Sequence, residues 1–339
     1  MTRRELVLSA LEHRETKPIP YHNELTETAK DNLVKYTGDP DAADKLDTCL
    51  HYVQYWGWPA EMTDRPGYFR DEFGVIWNRS GPDKDIGVIE DPQIDDIENR
   101  SYVFPKPDTD RLRRDIEQML ATKEDKFAIM GFGFCMYERC WSLMGMENAL
   151  TCMLTNPEEL EQLFDDICNF FVELVNIALE YDIDGVYFGD DWGSQRGLIM
   201  GLEHWRRYIK PRMARLYAPV KKKGKYVLQH SCGDNSEIFS DLIEIGMDCY
   251  QTFQPEVYDI RKMKNLYGDK VTFWGGVSTQ QALPNMTPGQ VKQEVLRIIK
   301  ELSPNGGLII GPTHAIPFDV PPGNILAMAD VFQNQEKYL

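Results

Sequence analysis

Short apolar runs alternate with amphipathic stretches along the last two thirds of the chain. The stretches between the runs space their apolar positions as a helix does, and two begin with the helix-starting pairs Asn156-Pro157 and Thr287-Pro288. The runs have the length and continuous apolar character of buried parallel strands, and they occupy residues 127–134, 185–189, 226–229, 248–253, 271–276 and 307–311. The alternation predicts a parallel sheet covered by helices.

The number of repeats favours a (β/α)8 barrel of the TIM type. The chain has 339 residues, and such barrels typically need about 250 or more. A doubly wound sheet is the alternative, but no G-x-G-x-x-G follows the first predicted strand. We predict one barrel domain over residues 1–339, opened by a charged helix in the first fifteen residues and a short first strand at residues 19–23.

Residues 24–126 show neither the helical nor the strand spacing of apolar residues. We assign them to an irregular N-terminal cap or lid with a hairpin arm near residues 74–77. Aromatic side chains are dense here, among them Tyr55, Trp56 and Trp77. The region could be a cap that packs on the barrel. It could also be a lid whose aromatic residues line an apolar pocket, since pockets are mostly lined that way.

Composition and charge narrow the class of partner. Hydrophobic residues make up 42% and charged residues 27%, as in ordinary globular proteins, and no apolar run approaches the roughly 18 residues of a membrane span. The N-terminus does not resemble a secretory signal, and seven scattered cysteines favour reduced thiols and a cytoplasmic location. The net charge of −17 argues against nucleic acid, an anionic membrane surface or a highly anionic substrate.

Polar residues follow most of the predicted strands. In a barrel the carboxyl ends of the strands share one mouth, and chemistry takes place there. The ends read Tyr21-His22-Asn23, Asp190-Asp191, His230-Ser231-Cys232, residues 251–254, Trp274-Gly275-Gly276 and Pro312-Thr313-His314. His230 and Cys232 alternate to the same side of their strand and are ligands that zinc prefers, although a capped strand end with an inert thiol is the simpler alternative.

Four sequence blocks carry a family resemblance. GDDWGSQRGLIM, LQHSCGD, VTFWGGVSTQ and GPTHAIPFDVPPGNI resemble the uroporphyrinogen decarboxylase superfamily, and more narrowly its corrinoid-linked methyltransferase branch. The true decarboxylases carry an arginine-rich block, RQAGR, just after the first strand. This chain reads PIPYHNELTETAKDNL there, without an arginine, so the clamp for a porphyrinogen polycarboxylate is missing.

The resemblance implies methyl transfer. The expected donor is a small aromatic or apolar methyl ether, or a methylamine-type compound. The acceptor is the cobalt of a separate corrinoid protein, since one barrel leaves no room for a cobalamin domain and D-x-H-x-x-G is absent. Three alternatives stay open: methyl transfer from methyl-corrinoid to a thiol or other acceptor, porphyrinogen decarboxylation, and a non-catalytic binding protein on the same barrel.

The resemblance and the strand ends together name the candidate residues. Thiol-methylating members place a cysteine after a late strand as the third zinc ligand, and this chain has His314 in that region. The candidate zinc ligands are His230, Cys232 and His314, with Asp191 or Glu138 as other possible third ligands. The candidate catalytic residues are Asp190, Asp191, His230, His314 and Glu138. The candidate substrate-binding residues are His22, Tyr55, Trp56, Trp77, Tyr187, Trp192, Gln195, Gln254 and Trp274.

Four of these assignments have a structural alternative. Asp190 or Asp191 could cap the segment that follows, because Asp is a good helix cap. Tyr187 could belong to the barrel interior. Gln195 could make a structural hydrogen bond under the mouth. Trp274-Gly275-Gly276 could permit close backbone packing and not bind substrate, because Gly is used where the chain approaches something closely.

Overall fold

The computed structural model describes residues 1–55, 61–81 and 87–339. Its strands, in chain order, are β1 (Leu50–Tyr55), β2 (Glu61–Met62), β3 (Tyr68–Arg70), β4 (Ile76–Asn78), β5 (Val88–Asp91), β6 (Phe127–Phe132), β7 (Gly185–Gly189), β8 (Gly193–Ser194), β9 (Gly197–Leu198), β10 (Tyr226–His230), β11 (Cys249–Gln251), β12 (Thr272–Val277) and β13 (Leu308–Pro312).

The helices surround these strands. In chain order they are α1 (Arg3–Leu11), α2 (Glu27–Thr37), α3 (Thr109–Thr122), α4 (Tyr137–Met144), α5 (Met146–Thr155), α6 (Pro157–Ala178), α7 (Leu202–His204), α8 (Lys210–Lys222), α9 (Phe239–Glu244), α10 (Ile260–Tyr267), α11 (Ala282–Asn285), α12 (Pro288–Leu302) and α13 (Pro322–Gln333). A π-helical turn, Trp205–Ile209, joins α7 to α8. None of the described helices is both long and apolar enough to cross a membrane.

Local sequence explains where several helices begin. Thr287 accepts the backbone N–H of Gln290, whose side chain accepts the N–H of Thr287 in return, and this capping box starts α12 at Pro288. Asn156 precedes α6 as expected, but its side chain donates to Glu98 instead of capping the helix. The proline at the first position of α6 is enough to mark that start.

The main sheet is parallel and deeply buried. Seven strands lie side by side in the order β1-β6-β7-β10-β11-β12-β13, and each neighbouring pair is parallel. Every residue of β6, β12 and β13 is buried, because helices cover one side of the sheet and the barrel interior fills the other. This double burial is why these strands read as continuous apolar runs in the sequence.

A short extended segment around Tyr21 closes the sheet into a barrel. The N–H of His22 donates to the carbonyl of Ile310 at 2.9 Å, and the N–H of Ile310 donates to the carbonyl of Pro20 at 3.0 Å. On the other side, the N–H of Cys49 donates to the carbonyl of Tyr21 at 2.9 Å. The segment therefore lies between β13 and the start of β1, and the predicted (β/α)8 barrel is confirmed.

The region 24–126 divides between the barrel and a small separate sheet. Strand β1 is part of the barrel and α3 packs in its outer layer, so the assignment of the whole range to a cap or lid was too broad. Strand β1 escaped prediction because four of its six residues are only partly buried and its sequence, LHYVQY, mixes polar with aromatic positions. Strands β2 to β5 form an antiparallel sheet that includes the hairpin arm expected near residues 74–77.

Candidate active site

A cavity of about 1890 Å³ opens where the barrel strands end. Its volume exceeds the roughly 300–1,000 Å³ of a typical small-molecule pocket. The acidic side chains that line it, among the described residues, are Glu24, Glu27, Asp44, Glu138, Asp191 and Asp319. The aromatic ones are Tyr52, Trp77, Phe134, Trp141, Tyr187 and Phe318, and the basic ones besides histidines are Lys30 and Arg79. The cavity is therefore both aromatic and acidic.

Two glycines bring the loops after β7 and β10 into contact. Gly233 has a φ of +77°, and a Cβ added there would lie 2.3 Å from the carbonyl of Gly193. Only glycine permits this approach of backbone to backbone. The contact holds Asp191 beside the end of β10, where its Oδ1 accepts the backbone N–H of Cys232 at 2.6 Å.

The hydrogen bonds around His230 fix which ring nitrogen is free. The Nδ1 atom of His230 donates to Oε1 of Gln251, and the hydroxyl of Tyr187 donates to the same oxygen at 3.1 Å. The amide nitrogen of Gln251 donates to the carbonyl of Thr313 at 3.4 Å, which is consistent with this orientation. Burial lowers the pKa of His230, so the ring is neutral and carries a lone pair on Nε2.

The donor atoms of His230, Cys232 and His314 converge on one point. All three lie within 4.8 Å of one another, and Nε2 of His230 is 3.7 Å from Sγ of Cys232. Zinc bonds of roughly 2.0 Å to nitrogen and 2.3 Å to sulfur, at a tetrahedral angle, would hold these atoms about 3.5 Å apart. The set fits an open, three-ligand zinc site, and it is the arrangement predicted from the sequence.

The Cys232 thiol is not reactive without a metal. Burial, together with the neighbouring carboxylates of Asp191 and Glu138, raises the pKa of this thiol well above its ordinary value. A metal ion would reverse this, because a coordinating thiol loses its proton outright. Oδ1 of Asp191 lies 3.5 Å from Nε2 of His230, close enough to act as a further ligand or to balance the charge of the metal.

Asp190 differs sharply from its neighbour Asp191. It is fully buried and is not among the described residues that line the cavity. Its carboxylate accepts the backbone N–H groups of Met136, Tyr137 and Glu138 at 2.8–3.2 Å, and the indole N–H of Trp192. Burial raises the pKa of Asp190 to about 6 despite these bonds. The geometry is that of a cap at the start of α4, a helix about fifty residues earlier in the chain, and not of the following segment that the structural alternative named.

Glu138, in the first turn of α4, reaches the cavity. Burial and the nearby charges of Asp191 and Asp190 raise the pKa of Glu138 well above its ordinary value, which favours the protonated acid. A buried neutral carboxylic acid at a cavity wall is a candidate general acid. Its neighbour Arg139 is fully buried and pairs with Asp71 of the antiparallel sheet at 2.9 Å, which fastens α4 to that sheet.

A second carboxylate, Glu24, lines the cavity beyond the first barrel segment. Its Oε2 lies 3.7 Å from Nε2 of His22, which is buried and has no hydrogen-bond partner among the described residues. Burial disfavours the charge of Glu24, but the His22 imidazole and the Tyr52 hydroxyl outweigh it and lower its pKa to about 2. Sequence reasoning missed Glu24 and Tyr52, although Glu24 directly follows the polar end Tyr21-His22-Asn23.

The remaining predicted substrate-binding residues fall into two groups. His22, Trp77, Tyr187, Gln195 and Gln254 line the cavity. Three others are not among the described lining residues: Tyr55, whose hydroxyl donates to Glu72; Trp192, which is fully buried; and Trp274, which packs edge-on against His22. For these three the structure shows packing where substrate contact was expected. Trp56 lies outside the described residues.

Comparisons with known proteins give a consistent assignment. The family described as uroporphyrinogen decarboxylase (URO-D) matches residues 82–335, which is more than half of the chain. A methylated-thiol--coenzyme M methyltransferase from Methanosarcina mazei is 23% identical over 185 residues, which cover 55% of this chain and 47% of that relative. The chain thus aligns with about half the length of this curated relative.

One solved structure aligns over the full length of both chains. It is described as a methyltransferase from Methanosarcina mazei, and it superposes with a TM-score of 0.74 at 16% sequence identity. At this level of identity the likeness shows a shared fold, and it carries no statement about substrate.

Proposed function

Because the chain belongs to the uroporphyrinogen decarboxylase family, we propose that it uses the family's barrel as a methyltransferase. The donor is a small methyl ether with an aromatic or apolar body, or a related methylamine. The acceptor is the cobalt of a corrinoid bound to a separate protein. Zinc held by His230, Cys232 and His314 is the proposed resident metal.

The convergence of these three ligands inside one large cavity is the observation that carries the proposal. The volume of about 1890 Å³ admits a small donor and still leaves the mouth open for the reactive face of a carrier. Tyr187 and Trp77 supply aromatic surface for the body of the donor. The curated relative is named a methyltransferase, which supports the same reaction class, and the solved structure supports the shared fold.

Methyl transfer from an ether requires activation of the oxygen that leaves. When cobalt takes the methyl group, the C–O bond breaks and its electron pair stays on the oxygen, which is a poor leaving group unless it is protonated or bound by a Lewis acid. Zinc supplies the Lewis acid when it is bound. Glu138, whose raised pKa favours the protonated acid, can deliver a proton to the departing oxygen. Asp191 and Gln251 position the ligands Cys232 and His230.

The cavity charge disfavours a porphyrinogen. Six described carboxylates line it against one lysine and one arginine, and Glu24 follows the first barrel segment where the decarboxylases carry their arginines. A substrate with many carboxylates would meet repulsion at most of this surface.

Methyl transfer involving a thiol is the second candidate. The name of the curated relative includes a methylated thiol, and a zinc site with one sulfur ligand is suited to activating thiolates. Here His314 takes the place expected for a third cysteine. The two candidates share the metal site and the carrier, and they differ in the compound that exchanges a methyl group with the carrier: an ether or amine in the first, and a thiol or its methylated form in the second.

One assay separates these candidates. Purified protein is incubated with reduced cobalamin and, in turn, aryl methyl ethers, methylamines and methylated thiols, and methylcobalamin is followed by its absorbance. We expect about one equivalent of zinc and methylcobalamin formation with the ethers. Cys232→Ala should lose both metal and transfer, whereas Cys152→Ala, a partly buried cysteine on α5, should keep both.

Two results would count against the proposal. Wild-type protein that is free of metal and still transfers methyl groups would remove zinc from the reaction. Transfer from methylated thiols alone would establish the second candidate in place of the first.

A further inference from the structure

We propose that the Glu24 side of the cavity binds an ammonium group of the donor, so that the donor is an amine-bearing aromatic methyl ether. This inference rests on the proposed methyl transfer and adds the charge of the substrate. The methyl ether lies toward Glu138 and the metal ligands, and the ammonium group lies between Glu24 and His22.

The charge of the cavity lining is the first argument. Six described carboxylates line the cavity against one lysine and one arginine. Among them, Glu24 has a pKa lowered to about 2, so its negative charge is present at neutral pH.

Glu24 has no lysine or arginine partner in the described part of the chain, and His22 is the one basic side chain within 4.0 Å of its carboxylate. Its side chain is 33% exposed, and that exposed surface faces the cavity, which it lines. An ionised carboxylate held in a cavity without a cation is a ready partner for a positive ligand.

The unpartnered ring nitrogen of His22 is an independent argument for a ligand at this place. Its side chain is only 4% exposed, and its Nε2 lacks a hydrogen-bond partner in the described part of the chain. The other nitrogen, Nδ1, lies 2.8 Å from the hydroxyl of Thr48. In the free protein Nε2 faces Glu24 at 3.7 Å and, as the nitrogen that carries the proton, favours the negative charge of Glu24. A bound ligand would select the other tautomer, in which Nδ1 donates to Thr48 and Nε2 offers a lone pair. A ligand ammonium could then donate one N–H to Glu24 and another to His22.

Aromatic side chains complete the environment. Tyr52 hydrogen-bonds Glu24 and its ring packs 5.6 Å from that of His22, and Tyr187 lines the cavity on β7. Tyrosine rings attract cations through their electron-rich faces. An acidic group flanked by tyrosines favours a cation over both a neutral and an anionic ligand of the same shape.

Three ligands of matched shape test the inference. 2-(3-Methoxyphenyl)ethylamine is a cation, 3-propylanisole replaces its ammonium by a methyl group, and 3-(3-methoxyphenyl)propanoate is an anion. Binding is measured by calorimetry without any corrinoid. We expect the cation to bind at least about tenfold more tightly than the neutral ether, and the anion most weakly.

Variants that remove or keep the charge of Glu24 test whether this residue causes the preference for the cation. Glu24→Gln should bring the cation and the neutral ether to similar affinities, and Glu24→Asp should keep their ranking. Asp319→Asn removes the same charge from the exposed rim and should leave the ranking unchanged, because solvent screens that position. Thermal unfolding of each variant confirms that it is folded.

The outcomes separate this inference from the proposed function. Equal affinities for the three ligands in the wild type, or a preference for the cation that survives in folded Glu24→Gln, would overturn the inference. Methyl transfer from neutral ethers would then still support the proposed function. Binding in the expected order without methylcobalamin formation would instead leave the cation site standing and remove the transfer reaction.

Discussion

Two walls of the cavity are built in opposite ways. At the start of α4 the protein satisfies its own polar groups, since Asp190 accepts four hydrogen bonds and lies behind the lining. At the ends of β10 and β13, the ligating atoms of His230, Cys232 and His314 gather within 4.8 Å of one another, joined by one long contact of 3.7 Å between Sγ of Cys232 and Nε2 of His230. Polar groups that are fully paired hold the fold, and polar groups that converge with few bonds among themselves are available to bind something else.

On the α4 side of the cavity, Glu138 is the residue to which we assign a role in the reaction, because it lines the cavity and has a raised pKa. We expect Glu138→Gln to lower methyl transfer by about 10²–10⁴, the usual contribution of one general acid, with little change in thermal stability. The effect follows from loss of the proton, because glutamine keeps the size and neutrality of the protonated acid. Single-turnover rates of methylcobalamin formation measure it.

The pH profile gives the control. The pKa of Glu138 is raised, so the wild-type rate should be full while the acid is protonated and should fall as the pH rises through that raised pKa. The glutamine variant should lack this fall. A variant with a normal rate and an unchanged profile would assign the proton to another group.

The sequence predicted the barrel, and the meeting of His230, Cys232 and His314 at its mouth, for a physical reason. Strands β6, β12 and β13 are buried throughout, so their apolar runs stand out, and strand ends in a barrel must share one mouth. The spacing of His230 and Cys232 on one strand end then predicts that they point the same way. The family assignment, also predicted from sequence blocks, is confirmed by the match over residues 82–335.

The parts that escaped prediction depend on contacts between distant segments. Strand β1 carries polar residues because its inner face lines the cavity, so its pattern resembles a loop. The role of Asp190 depends on the position of α4, about fifty residues earlier in the chain, and sequence alone could not separate it from Asp191. Trp192 and Trp274 were expected to bind substrate and are buried, and sequence alone could not place them because large aromatic residues occur both in pockets and in cores.

Substituting the two adjacent aspartates tests the comparison directly. Asp190→Asn places an NH2 group against backbone donors, and we expect it to destabilise the fold by about 1–3 kcal/mol. Asp191→Asn keeps an oxygen for the N–H of Cys232, so its stability should change by less than about 0.5 kcal/mol, whereas methyl transfer should fall at least about tenfold.

Urea denaturation and methyl-transfer assays on both variants provide the measurement. The comparison requires a crossed result, with stability lost in one variant and activity lost in the other. If Asp191→Asn proved the less stable of the two, the division between a structural and a functional aspartate would be reversed.

The smallest effect concerns Gln251, which contacts His230 but is not itself a proposed zinc ligand. Its Oε1 accepts from Nδ1 of His230, and this bond keeps the lone pair on Nε2, where the metal site needs it. Gln251→Met keeps the size of the side chain and removes the acceptor, so zinc affinity should fall by about tenfold, the lower end for such supporting bonds. Competition with a chromophoric chelator measures the change.

The control variant is Gln195→Met. Gln195 follows β7 in the chain and lines the same cavity without contacting a proposed ligand, so its substitution should leave the zinc affinity unchanged. Equal affinities in all three proteins would show that the two histidines and the cysteine are oriented by packing alone. The contrast between the walls would then lie in the ligands themselves and not in the bonds that support them.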